Sequence, residues 1–186
     1  MKPILFNTDM VRAILEDRKT VTRRVAKPQP RAIYHNGKIY DDDELYVVAE
    51  NQNGKFEQVV LPYRPSDILY VRETWAAWSP TYGTAPKIIY KADGYSQSQK
   101  MRWLPSIHMP REAARIFLRV TDVRVERLQE INDDGVVSEG MEIGAPFDDL
   151  WDSTIKKADR TLYGWEANPW VWVITFERIS KEEAGL

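Results

Sequence analysis

Apolar residues recur at helical spacing at Met10, Val11, Ile14 and Leu15, just after Thr8-Asp9. This pattern predicts a short helix that starts at Thr8 and ends near Asp17. The pattern then changes. Thr20-Val21-Thr22 is β-branched throughout, and side chains that are stiff at χ1 favour extended backbone. Lys27-Pro28-Gln29-Pro30 ends that strand. Polar turns at Asn36-Gly37 and Asn53-Gly54 flank Leu45-Tyr46-Val47-Val48 and predict a hairpin excursion between Arg31 and Ser66. Pro65-Ser66-Asp67 reads as a turn that launches Ile68 to Arg72, a mostly apolar core strand ending at Glu73-Thr74-Trp75.

Further along, a loop carrying Trp78, Pro80, Gly83 and Pro86 leads to a strand from Ile88 to Lys91, and Pro110 opens a brief helix through Ala113 and Ala114. From Ile116 to Val125 the chain alternates, with Ile116, Leu118 and Val120 opposite Phe117, Arg119 and Thr121. That is the signature of a long strand with one solvated face. Asn132-Asp133-Asp134 caps a helix that runs to Glu139 and is closed by Gly140. A second helix takes Pro146 to about Lys156. The last strand, Trp170 to Glu177, puts Trp170, Trp172, Ile174 and Phe176 on one face, which assigns both tryptophans to packing. Strands separated by short helices, without a regular βαβ rhythm, give an α+β class built around a small curled sheet or barrel. At 186 residues and 43% hydrophobic, one domain is expected.

Composition narrows the chemistry. There is no cysteine and there are two histidines, His35 and His108, so no thiolate chemistry, metal site or cofactor is expected. The apolar run at the N-terminus is too short for a signal peptide and no eighteen apolar residues run together, so the reading is a cytoplasmic protein without a membrane partner. Gly-rich phosphate loops and nucleophile elbows are absent. The formal charge of −2 makes no global case for nucleic acid, yet between Arg12 and Arg31 seven cations (Arg12, Arg18, Lys19, Arg23, Arg24, Lys27, Arg31) face two carboxylates. Such a stretch is either a solvated rim or the lining of a pocket for a nucleobase or RNA. Trp75 and Trp78, near a strand end, are stacking candidates for a base. Glu73 is either a second pocket carboxylate or a partner of Arg72 or Arg119. His108 is read as a loop residue or, alternatively, a ligand-binding or basic group.

Asp17, Lys19, Thr22 and Arg24 follow the first helix with the spacing of the signature of the ASCH family in the PUA-like superfamily, and the chain resembles that family. Asp17 stands where the family has Gly. The segment from Pro65 to Trp75 is similar to the family's Gly-Asp turn and core strand, with Ser66 again in place of Gly. Ser138-Glu139-Gly140-Met141 and the closing Trp170 to Phe176 strand match in order and character. With Trp103 to Arg111 and Phe147 to Trp151 added, the chain resembles the longer ASCH-like proteins of phages and prophages. The resemblance implies a PUA-like small β-barrel with flanking short helices over residues 1–186, elaborated at about 28–64, 76–104 and 142–168.

It also implies function. The superfamily binds RNA, which makes RNA or a modified nucleoside or nucleotide the expected partner, with Arg18, Arg23, Arg24, Glu73, Trp75, Trp78 and His108 as binding candidates. One branch consists of amidohydrolases that remove the acyl group from acetylated cytidine with a Lys, a Thr and a Glu, which correspond here to Lys19, Thr22 and Glu139. An accessory or interaction role on the same scaffold is a third possibility. In the enzymatic reading, Thr22 is the nucleophile and needs a base. Lys19 serves as that base only if its pKa falls from about 10.4 to between about 7 and 8. Glu139 is then the acid for the leaving amine, and Arg24 or a backbone N–H steadies the oxyanion. Because strand side chains alternate, Lys19 and Thr22 converge only if Lys19 lies in the turn before the strand.

Overall fold

A computed structural model describes residues 1–33, 39–41, 44–79, 85–95 and 101–186. The first half holds strand β1 (Lys2–Leu5), helix α1 (Thr8–Leu15) and strands β2 (Val21–Val25), β3 (Ala32–Ile33), β4 (Ile39–Asp41), β5 (Glu44–Glu50), β6 (Phe56–Val60), β7 (Ile68–Arg72), β8 (Trp75–Trp78) and β9 (Lys87–Tyr90). The second half holds β10 (Phe117–Arg127), α2 (Asp133–Ser138), α3 (Phe147–Thr154), α4 (Arg160–Tyr163) and β11 (Trp170–Ile179). The class is α+β: strands dominate and the helices are short. No helix among the described residues is long and apolar enough to cross a membrane.

The main sheet runs β1-β7-β10-β11-β2. Its pairs are antiparallel except β1 with β7. No backbone pairing joins β1 to β2 among the described residues, so the sheet is open. Its two edges nevertheless approach each other. Arg24 on β2 donates from Nη2 to the Leu5 carbonyl of β1 at 2.6 Å, and its guanidinium lies 5.3 Å from the Phe6 ring centroid. The long strands β10 and β11 form the spine. β11 is buried on both faces: Trp172, Ile174 and Phe176 pack with Ile4, Phe6, Val11 and Ile14 on one side, while Val171 and Val173 pack with Leu128, Phe147 and Trp151 on the other. Trp170 is partly buried against the first of these clusters, with Arg127 over its ring.

Several sequence expectations shift. The side chain that caps α1 is Asn7, which accepts from the Met10 N–H at 2.8 Å, and the helix ends at Leu15. The segment expected as a loop after Trp75 is β8, paired with β9. At Pro110 the chain makes only a single 3-10 turn, over Arg111–Ala113. Nor does β10 keep one buried parity: Val120 pairs with Phe176 and Asp122 with Thr175, so Thr121 is the extra residue of a bulge. Leu118 and Val120 are buried before it, Val123 and Val125 after it. The face that alternation assigns to solvent is covered at Phe117, which packs with Ile179 and Ala184. In the second sheet β5 pairs with β3, β4 and β6. The Asn36-Gly37 turn, His35, Pro80 and Gly83 lie outside the described residues.

Candidate functional site

The site begins at a chain reversal. The Ala13 carbonyl accepts from the N–H groups of both Arg18 and Lys19, at 2.8 and 3.1 Å, and Asp17 adopts φ +56°. This left-handed residue turns the chain back and places Lys19 in the connection before β2, not on the strand. Asp17 is held there by Arg178, which donates to its two carboxylate oxygens at 3.1 and 3.0 Å. Lys19 then forms an isolated antiparallel bridge with Glu139, beside a 2.9 Å hydrogen bond from the Thr20 N–H to the Ser138 carbonyl.

Glu139 is delivered by α2. Asn132 caps that helix by accepting from the Gly135 N–H at 2.9 Å, and Gly140 follows at φ +90°. A Cβ on Gly140 would lie 2.7 Å from the Ala13 Cβ and 3.0 Å from the Lys19 Cβ. Glycine is therefore required here both for the left-handed backbone and for close approach. The end of α2 can then press against the reversal, and two residues 120 apart in sequence meet.

Lys19 Nζ donates to Glu139 Oε2 at 2.5 Å, to the Val21 carbonyl at 2.8 Å and to the Glu139 carbonyl at 3.0 Å. Three acceptors match the three donors of an ammonium group. The other carboxylate oxygen, Oε1, accepts from Arg23 Nη1 at 3.3 Å, and Arg23 Nη2 donates to Glu126 Oε1 at 2.8 Å. The result is a charge-balanced row, Glu126, Arg23, Glu139 and Lys19. The Lys19, Arg23 and Glu139 side chains are only 0%, 2% and 4% exposed. Such a row is tolerated in the interior because each charge is paired and hydrogen-bonded. Burial nevertheless holds Lys19 below the ordinary lysine value, with Arg24 and Arg23 pushing the same way and Glu139 opposing them.

Thr22 is buried in β2 and pairs with Ile174. Among the described residues its hydroxyl has no hydrogen-bond partner. It lines a cavity of about 30 Å³ together with Glu139, Arg23, Met10, Arg24 and the inner face of α3. β2 is an edge strand. Thr20 and Ala26 exchange hydrogen bonds with β11 and its flank, the Phe176 N–H donating to the Thr20 carbonyl and the Ala26 N–H to the Trp170 carbonyl. By antiparallel alternation Thr22 and Arg24 do the same, so the backbone N–H of Arg23 points to the free edge, and Arg23 is among the residues that line the cavity. Met10, Arg24 and Thr154 also line a groove of about 380 Å³ that takes in Phe6, Asn7, Thr74, Ser106 and Ser153. That size is within the range of small-ligand pockets, about 300–1,000 Å³.

Thus Lys19, Thr22, Arg23, Arg24 and Glu139 come together. The other candidates lie elsewhere. Arg18 is exposed and donates to Glu16 and to the Gly140 carbonyl. Glu73 is buried and gripped by Arg115, Nε to Oε1 at 2.9 Å and Nη2 to Oε2 at 3.1 Å. Burial raises its pKa and Arg115 opposes this. Neither Arg72 nor Arg119 takes it, because Arg72 donates to the Met109 and Ile107 carbonyls and Arg119 to Glu177. Trp75 and Trp78 are half-buried in β8, and His108 is exposed on a 3-10 turn. Sequence reasoning did not single out Arg115, Glu126, Asn7 or the α3 wall; for α3 the signal is the helical spacing of Phe147, Leu150 and Trp151. No group of three or more His, Asp or Glu among the described residues is placed to hold a metal.

Fold and site together define an α+β protein with a buried, charge-balanced polar cluster opening onto a ligand-sized groove. Compared with protein-family models, curated proteins and solved structures, the chain matches none of them.

Proposed function

We propose that the chain is an amidohydrolase that removes a small acyl group from the exocyclic amine of a cytosine-type nucleoside, on a PUA-like scaffold. The observation that carries this reading is the convergence of Lys19, Thr22 and Glu139 from separate segments, with an unpartnered Thr22 hydroxyl and Glu139 on one cavity. The scaffold reading is supported by the two positions where the resemblance expects Gly: Asp17 and Ser66 both hold the left-handed backbone, at φ +56° and +73°.

The hydrogen bonds divide the roles differently from a lysine base. With three acceptors around Nζ, Lys19 has no lone pair to offer Thr22. Glu139 therefore takes the Thr22 proton as Oγ1 attacks the acyl carbon, and Lys19 and Arg23 hold the carboxylate in place. The oxyanion is met by the free-edge N–H of Arg23, the residue after the nucleophile. Glu139 then returns the proton to the departing amine as the C–N bond breaks. Water hydrolyses the Thr22 ester and releases the acid. The test is release of cytidine from N4-acetylcytidine: wild type liberates it, whereas Thr22→Ala binds the nucleoside without turnover. Absence of release by wild type overturns the proposal.

A second reading, binding of RNA without turnover, draws on Arg24, which borders both the 380 Å³ groove and a further groove of about 540 Å³ between the sheet edges, lined also by Tyr63 and Trp172. Against a broad basic surface, Arg23 and Arg24 spend their guanidinium groups on internal acceptors. Oligonucleotide binding with a salt slope reduced in Arg24→Ala is the outcome this reading expects.

A further inference from the structure

We infer that α3 sets the length of the acyl group, closing the cavity so that a one- or two-carbon acyl group fits and a longer or aromatic one does not; this rests on the amidohydrolase reading. The cavity at Thr22 and Glu139 measures about 30 Å³, against about 380 Å³ for the groove it adjoins. A space of that size takes roughly two water-sized groups. It holds a carbonyl and one methyl, while the sugar and base occupy the groove.

The walls decide the chemistry of what enters. Phe147, Leu150 and Trp151 line the cavity from one apolar face of α3, and Met10 of α1 lines it as well. An uncharged alkyl tail is favoured there, and a second carboxylate would be desolvated beside Glu139. The wall is also fixed in place. Trp151 Nε1 donates to the Tyr163 carbonyl at 2.8 Å, and the Phe147 ring meets Trp165 edge-on at 6.1 Å. Phe147 and Trp151 are buried in the core. Leu150 is half-buried, so it can be trimmed without opening the core beneath.

The experiment measures kcat/KM for cytidine release from N4-formyl-, acetyl-, propionyl-, butyryl- and benzoylcytidine by wild type and Leu150→Ala. It is paired with calorimetric binding of the same series to Thr22→Ala, a readout that needs no turnover. Wild type is expected to lose about tenfold or more per added methylene beyond acetyl. In Leu150→Ala the acetyl-to-butyryl ratio is expected to fall by at least about tenfold. Leu150→Phe, which narrows the same space, shifts preference toward formyl. Equal turnover of all acyl lengths by wild type, or an unchanged ratio in Leu150→Ala, overturns the inference and leaves the amidohydrolase reading standing. If no member of the series is either cleaved or bound, both fall together.

Discussion

Glu139 and Glu73 are both buried carboxylates held by cations, and Glu139 in addition lines a cavity. Arg115 clasps both oxygens of Glu73 in a fork and reaches Asp93 as well, with its guanidinium 3.9 Å from the Tyr90 ring centroid. Both Glu73 oxygens are thus taken up by protein donors. Glu139 instead divides its oxygens between Lys19 and Arg23 and shares a cavity with a threonine hydroxyl that has no partner among the described residues. A buried ion pair is thus weak grounds for a site; what distinguishes the Glu139 cluster is the unfilled volume and the idle nucleophile beside it.

Charge removal at each carboxylate separates the two most sharply. Glu139→Gln is expected to lower kcat for cytidine release by about 10²- to 10⁴-fold, the usual worth of a proton-transfer group, whereas Glu73→Gln leaves kcat unchanged. Equal losses in the two variants erase the distinction. In stability the ranking changes. Lys19→Met strands Glu139 with Arg23 alone and is expected to cost about 3–5 kcal/mol in denaturant unfolding, and Glu73→Gln about 3 kcal/mol, as for a buried pair that loses one member.

The pH dependence runs in opposite directions for the two clusters. Lys19 is depressed below its ordinary value of 10.5, so between its folded value and 10.5 the unfolded chain binds more protons and stability rises with pH. Glu73 is raised above its ordinary 4.5, so its contribution is present below 4.5 and is lost as pH climbs through the folded value. Unfolding free energies across pH should lose the alkaline rise in Lys19→Met and the acidic fall in Glu73→Gln. The smallest effect concerns the turns that lead into the two clusters. Ser66→Gly relieves a left-handed serine ahead of β7 and should stabilise by about 0.5 kcal/mol. Asp17→Gly should gain less, because it forfeits the Arg178 contacts.

Much of this was legible in the sequence where physics is local. The α2 cap and its Gly140 terminus and the β2, β7 and β11 strands follow from short-range rules, while Lys19 in the turn before β2 enters only as the condition for its convergence with Thr22. The resemblance supplied Glu139, since nothing near it in sequence ties it to Lys19. What escaped depends on partners distant in the chain. Arg115, not Arg72 or Arg119, meets Glu73 because pairing is decided by which strand lies opposite. β8 was hidden by Ala76 and Ala77, which carry little strand preference, and a one-residue bulge at Thr121 reversed the parity of β10. The closure of the cavity by α3 required tertiary packing to be seen.

The most direct test is cytidine release from N4-acetylcytidine by wild type, Thr22→Ala and Glu73→Gln under identical conditions. Release by wild type and Glu73→Gln at comparable rates, with none from Thr22→Ala, is the predicted result; undiminished release by Thr22→Ala, or none by the wild-type chain, would contradict it.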